Sequence, residues 1–523
     1  MFAVILIVLP LIIGIIAWLL PKYAKYIAIS GAVLQLALTI FLTLLMQIEK
    51  FQPSKQTRYV KEYPVMASFL EVIDIEETGD VINPEIITYQ VKSTSLDVPW
   101  IESLGIDFSV KIDGIALLML LLTNMLLPLI ILSSFHQKID KSGLFYALIL
   151  FMQAAMVGVF VAADAFLYYV CWEAALIPIY FILLLWGGKG SSKVTFKFFV
   201  YTLVGSLAML FSIITLYLYT TERSFSIESF YALKLTPEYQ MVVFAGFMLA
   251  YAIKIPIFPL HTWQPDTYSV APNPGTMLLA GVMLKMALYS ILRWVIPVVP
   301  NAFADPVYSQ WIIGITVVGM LYASCIALIQ KDLKKLFAYS SIAHVGLIAA
   351  GIFTFTISGI QGAMLQMLSH GVIAVGLFMA AEVIHTRWNT YDLNLMGGIR
   401  LKAPIFATYF LIIVLGSIAL PLTSNFVGEF MLLRALFKDT AWIGVLATIP
   451  VVLGAAYMLK MYQKACLGEA TKEFEDVKGT QDTVLLIIAI LVVVIGVAPQ
   501  FFLNICEEDV KKLLEFASVK MAS

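Results

Sequence analysis

Apolar residues in this chain come in long unbroken runs rather than in strict alternation. Runs of 18 or more residues recur from end to end, and a helix of that length crosses the ~30 Å hydrocarbon core of a bilayer. The pattern predicts fourteen spans, at about residues 2–20, 26–46, 112–134, 143–163, 166–187, 198–220, 241–260, 275–298, 310–329, 338–356, 359–386, 404–437, 441–464 and 482–504. The alternating ten-residue segments of a membrane β-barrel are absent. The expected fold class is therefore an all-α polytopic membrane protein. Between the second and third spans, residues 47–111 form one long polar segment. Its stretches FLEVIDIEE and EIITYQVKST are rich in β-branched residues and predict a hairpin, with an irregular loop as the alternative.

Basic residues test the span count. Loops after odd-numbered spans carry 16 lysines and arginines, among them Lys22, Lys138, Lys331, Lys334 and Lys464. The short loops between them carry three, Arg223, Lys234 and Lys438. Cytoplasmic loops gather Lys and Arg, so the odd loops are expected to face the cytoplasm and both termini the outer side. The opening MFAVILIVLP has no basic leader and no small-residue cleavage site, and is read as a retained first span.

Composition narrows the class further. Of 523 residues, 61% are hydrophobic and 13% charged, whereas a soluble domain carries about 25% charged residues. The net charge of −1 and the lack of a basic stripe give no reason to expect nucleic acid. Cys171, Cys325, Cys466 and Cys506 are scattered without a CxxC spacing. That argues against an iron–sulfur or zinc site and against a disulfide framework.

An ionisable side chain at bilayer depth costs a few kcal/mol or more, so each needs a partner, a water path or a function. Glu173 stands near the middle of the fifth span, Lys254 of the seventh, Lys285 of the eighth and Glu429 of the twelfth. His344 joins them in the tenth and His370 in the eleventh. In the stretch AYAIKIPIFPLHTWQPD, Lys254 is followed by Pro256 and Pro259. Neither proline can donate to the carbonyl four residues earlier. Freed carbonyls are tolerated in a membrane only where they meet protein or water. The seventh span is thus expected to break beside its lysine. In the twelfth, Pro421 and the polar run Thr423, Ser424, Asn425 precede Glu429. Two broken helices five spans apart predict inverted five-helix repeats, at spans 4–8 and 9–13. The implied units are 1–142 (three spans and the outer loop), 143–298 and 310–464 (the repeats) and 465–523 (last span and short tail).

Each group also has a plain structural reading. A buried Lys–Glu pair can be glue, Lys285 can snorkel, a histidine can hydrogen-bond across helices, and Glu429 can cap a break. Six such groups on six spans weigh toward a proton wire. Other polar residues carry less. Asp113 fits a helix N-terminus, Asp164 an interspan turn, and Arg293 and Lys460 snorkelling near span ends. Glu382 and His385 fit an interfacial role or the border of a proton entrance. His261 and Asp266 fit the loop after the broken seventh helix.

At these residues the chain resembles the antiporter-like membrane subunits of proton-pumping NADH:quinone oxidoreductase, respiratory complex I, which are related to subunits of multisubunit cation/proton antiporters. The resemblance rests on YYVCWEAALIPIYF around Glu173, on KIPIFPLHTWQPDTYSVAPNPGTMLLAGVMLK from Lys254 to Lys285, on QKDLKKLFAYSSIAHVG with His344, and on SHGVIAVGLF with His370. It covers about residues 100–465. Two of the three such subunits carry a lysine in the broken twelfth helix; the M type carries a glutamate, as NFVGEF does here with Glu429. The L type ends in a long lateral helix, for which the residues after the last span are too few. The resemblance implies that Glu173 tunes a switching Lys254. It further implies that Lys285 and His344 form a central relay, and that His370 continues it toward Glu429. It implies L-type and N-type partner subunits and a bacterial cytoplasmic membrane. No cofactor is expected in this chain; flavin, iron–sulfur clusters and quinone are expected in partner subunits.

The function expected is proton translocation as one module of that redox-driven complex. The alternative is a subunit of a multisubunit sodium/proton antiporter, against which Glu429 in place of a lysine leans. A bis-histidine haem enzyme is disfavoured, because its ligands usually recur in pairs on facing helices.

Overall fold

The computed structural model describes residues 1–49, 70–78, 81–91, 95–470 and 472–522. Among these, twelve helical stretches are long and apolar enough to cross a membrane. Two interrupted spans bring the number to the expected fourteen. The seventh runs as Pro237–Lys254, leaves helical geometry over residues 255–262 and resumes as Trp263–Val270. The twelfth runs as Pro404–Ser417, breaks over residues 418–423 and resumes as Ser424–Asp439. Some helices outrun their apolar stretch. The sixth starts at Ser191 and the tenth at Leu333. In the tenth, Asp332 caps the start by accepting from the Lys335 amide at 2.9 Å, a bond that satisfies one orphan donor of the first turn.

The fourteenth span ends sooner than its apolar run, at Val497. Pro499 cannot continue that helix, having no N–H and a ring that would clash with the preceding turn. It opens a separate helix, Pro499–Ala522. The expected short tail is thus helical. Leu503, Cys506, Val510, Leu514 and Ala517 are buried and fall three or four apart, on one face. This helix packs on the third and eleventh spans. Asp509 accepts from the Gly114 amide at the head of the third span, at 2.8 Å.

The polar segment after the second span contains the predicted hairpin. Strand β1 (Leu70–Thr78) pairs antiparallel with β2 (Val81–Val91). A second hairpin joins β3 (Ser95–Ile101) to β4 (Ile106–Lys111), turning through Gly105 at φ +64°. Residues 50–69 of that segment lie outside the described residues.

Burial sorts the spans into centre and rim. The eighth and eleventh are wholly enclosed and the third, fourth and tenth nearly so. The first, second, sixth, ninth and thirteenth are less than half buried. Their exposed side chains are large and apolar, for example Leu19, Phe211, Trp311 and Val452, which suits contact with lipid rather than water. The spans that carry Lys285, His344 and His370 are therefore central ones.

Candidate functional site

The broken seventh span resolves its own backbone. Pro256 denies the Ala252 carbonyl its usual donor, and the amide of Ile257 takes that place at 2.9 Å. The next carbonyl, Ile253, accepts from the buried indole N–H of Trp263 at 2.9 Å. Lys254 is the last helical residue, where the helix dipole favours a cation. It is 2% exposed. Its Nζ has no hydrogen-bond partner and lies 5.0 Å from the centre of the Trp172 ring, a cation–π distance.

Glu173 follows that tryptophan. It sits at the end of the helix Ala165–Ala174, and the helix resumes at Leu176. Pro178 accounts for the step, since it cannot donate to the Ala174 carbonyl. The Oε1 of Glu173 is enclosed and unpartnered. Among the described residues, Glu173 and Lys254 form no ion pair within 4.0 Å. Two groups of opposite charge thus stand near one tryptophan with bonding capacity unused. Their helices and the eighth are pinned together by hydroxyls: Tyr168 meets Tyr251 at 3.0 Å and donates to Ser290 at 2.8 Å.

The eighth span changes winding around its lysine. Residues Leu279–Met283 form a π turn, as do Ile291–Val295. Such turns shift backbone hydrogen bonding from four residues to five and are frequent at functional sites. The Lys285 Nζ reaches back to the Ala280 carbonyl at 2.5 Å and meets His370 Nδ1 at 2.8 Å. Lys285 is completely buried. Two glycines make this contact possible. A Cβ at Gly371 would stand 2.8 Å from the Gly281 carbonyl oxygen and 2.7 Å from Leu122, so the eighth and eleventh spans touch along small residues.

The chain of groups continues to the twelfth span. The rings of His370 and His344 are 5.9 Å apart, centre to centre. His344 Nδ1 lies 2.9 Å from Glu429 Oε1. The same oxygen accepts from Gln366 Nε2 at 3.1 Å. A Cβ at Gly428 would approach the Gln366 side chain to 2.5 Å, so glycine there lets the two helices close. Lys285, His370, His344 and Glu429 therefore form one file of neighbours across four helices.

This order corrects one expectation. His370, not His344, is the partner of Lys285, and His344 is the group that touches Glu429. The two helix breaks also differ: Lys254 precedes its break, whereas Glu429 follows its own. Arg293 does not snorkel; it pairs with Asp113 at 2.5 Å, and Asp113 also caps the third span. Glu173 and Lys254 stand apart from the file, linked to it through packed helices rather than a direct bond. Gln366 was not singled out in the sequence because a neutral amide carries no charge signal. Among the described residues no group of three or more His, Cys, Asp or Glu could hold a metal ion.

A multi-pass helical membrane protein with broken helices and an enclosed file of titratable groups is the class these features define. The chain belongs to the family described as NADH:quinone oxidoreductase/Mrp antiporter, transmembrane, which matches residues 162–454. It is 35% identical over 494 residues to "NADH-quinone oxidoreductase subunit M" of Rickettsia bellii, covering 92% of this chain and 98% of that one. The subunit M of Escherichia coli is 34% identical over 425 residues, covering 79% and 83%. Among solved structures, a chain of respiratory complex I from Thermus thermophilus with bound NADH superimposes with a TM-score of 0.84 at 27% identity, over 99% of this chain and 100% of that one. A chain of the Mrp complex from Dietzia shares the fold alone, with a TM-score of 0.75 at 18% identity, over 99% of this chain and 52% of that one.

Proposed function

We propose that this chain moves protons across a bacterial cytoplasmic membrane as one antiporter-like module of an NADH:quinone oxidoreductase. Redox chemistry would occur in other subunits, with L-type and N-type subunits as membrane neighbours. The observation that carries this reading is the buried file Lys285, His370, His344, Glu429. A protonated Lys285 is within transfer distance of His370 Nδ1, at 2.8 Å, and His344 is within transfer distance of Glu429, at 2.9 Å. The two imidazoles, with ring centres 5.9 Å apart, would exchange the proton through a bridging water. Glu429, with Oε2 enclosed and unpartnered, receives the proton at the far end. The five-span units 4–8 and 9–13 act as inverted repeats around this axis, and both termini lie on the outer side.

Lys254 and Glu173 supply the switch. Approach of the carboxylate holds the proton on the lysine, and withdrawal releases it. Two unit charges 4 Å apart interact by about 4 kcal/mol at an effective dielectric of about 20. A one-unit change in proton affinity needs only about 1.4 kcal/mol. Closing or opening the gap beside Trp172 is therefore enough to move a proton.

Lys254→Ala and Glu173→Ala are expected to leave the complex assembled while abolishing pumping by this module. Proton-to-electron stoichiometry of the reconstituted complex checks this; a normal value in either variant overturns the switching role. A sodium/proton antiporter subunit is the second reading, favoured by the shared fold with the Mrp chain. Copurification of this chain with flavin and iron–sulfur proteins separates the two.

A further inference from the structure

A second set of ionisable groups is buried at one end of the same helices, outside the file just described. Glu382, near the end of the eleventh span, is 7% exposed. Its Oε1 accepts from the Gln137 amide and lies 3.7 Å from His136 Nε2, both just past the third span. Lys334, at the start of the tenth span, is 2% exposed. Its Nζ donates to the Ala271 carbonyl at 2.8 Å and lies 5.2 Å over the Tyr391 ring. Ala271 joins the second half of the broken seventh helix to the eighth span. His385 stacks on the same tyrosine at 4.4 Å, and Asn273, which opens the eighth span, donates to its hydroxyl at 3.3 Å. Asp332, which caps the tenth span beside Lys334, also faces this cluster.

Two features set the cluster apart from an interfacial pair. Glu382 and Lys334 are both buried, yet they are not bonded to each other: Glu382 accepts from Gln137 and Lys334 donates to a backbone carbonyl. Each of the three spans that carry Lys285, His344 and His370 also contributes a group here. Along the eleventh span, Glu382 stands about 18 Å from His370, at 1.5 Å per residue. Tyr268 packs on Phe378 within that interval, at 5.6 Å. The Tyr268 hydroxyl and Asn273 Oδ1 are buried without a protein partner, and buried polar atoms of this kind are usually satisfied by water. Lys138, Lys141 and Lys331 in the adjoining loops and Lys335 in the first turn of the tenth span also lie at this end.

We propose that Glu382 is the proton-loading carboxylate of this module, fed by His136 and held by the Gln137 side-chain amide, and that it passes protons inward past Tyr268 toward Lys285. The His136 imidazolium gives its proton to the Glu382 carboxylate and is reprotonated from the aqueous side. Glu382 then releases that proton toward the Lys285 amine. This rests on the reading of the chain as a proton module.

The test uses the whole complex in proteoliposomes, with Lys285→Ala run alongside. Glu382→Gln should slow this module's share of proton uptake (the part lost in Lys285→Ala) roughly tenfold or more, within the range lost with a general acid–base group, and most at alkaline pH. Glu382→Asp should restore the rate with a shifted pH profile, and the wild type should show a protonated-carboxyl infrared band that Glu382→Gln lacks. If Lys285→Ala loses pumping while Glu382→Gln keeps its rate and pH profile, the loading role is wrong and the module reading survives. If Lys285→Ala pumps normally, the module reading itself is wrong. A slow Glu382→Gln that aspartate does not rescue, with an unmoved pH profile, marks a merely structural residue and overturns the proposal. Should Glu382→Gln fail to assemble, His136→Gln is read instead; its pH profile should shift, and an unchanged profile overturns the proposal.

Discussion

Two histidines on separate helices can be named from a sequence but not ordered by it. Their order depends on how each helix is rotated about its axis, which apolar spans on all sides leave undetermined. His370 and His344 illustrate this: both were found, and the structure exchanges their places. Glu429 was legible because a carboxylate in an apolar run stands out; its neighbour Gln366 was not. Glu429→Gln should stop the module, since an amide cannot titrate, whereas Glu429→Lys tests whether any titrating group suffices. Pumping by the lysine variant would show that charge sign is immaterial; pumping by the glutamine variant would contradict a terminal proton role. Asp164 makes a different point. In the turn before the fifth span, burial pushes its carboxyl up to about 6 from an ordinary 3.8. Amide bonds from Phe166 and Leu167 at 2.8 and 2.9 Å only partly oppose this. A raised value means that the fold binds this proton more tightly than the unfolded chain does. The stabilisation is then complete below about pH 4 and lost as pH rises through about 6. Asp164→Asn keeps an acceptor and removes the charge. It should flatten that dependence and raise stability at neutral pH by up to about 3 kcal/mol, which thermal melts of the solubilised complex at several pH values would show. An unchanged slope would contradict it.

At the scale of elements, the helix breaks were legible and the π turns were not. Pro256, Pro259 and Pro421 each announce a lost hydrogen bond. The stretch LAGVM contains no residue that forbids an ordinary α-turn, so its wider winding comes from packing on the eleventh span. That packing depends on Gly281 and Gly371. Gly371→Ala places a methyl 2.8 Å from the Gly281 carbonyl oxygen, and overpacking of this kind costs about 1–3 kcal/mol. The variant should lower the melting temperature and weaken the Lys285–His370 contact together. Normal pumping with normal stability would contradict the account of this junction. The broken helices also show how far spacing carries. Proline positions place both interruptions correctly, but not the side of the break on which each charge falls.

For the whole molecule, hydropathy and the lysine and arginine asymmetry were enough to count fourteen spans. The same runs concealed the final helix, because Pro499 divides an apolar stretch that looks continuous. They also said nothing of which spans lie at the centre, since lipid-facing and buried faces are equally apolar. The structure supplies that arrangement: the eighth and eleventh spans are wholly enclosed, and the file of titratable groups runs through them. The most direct measurement is the proton-to-electron ratio of the reconstituted complex carrying Lys285→Ala. The account predicts an assembled complex that oxidises NADH and pumps fewer protons by the share of this module. An unchanged ratio would contradict it.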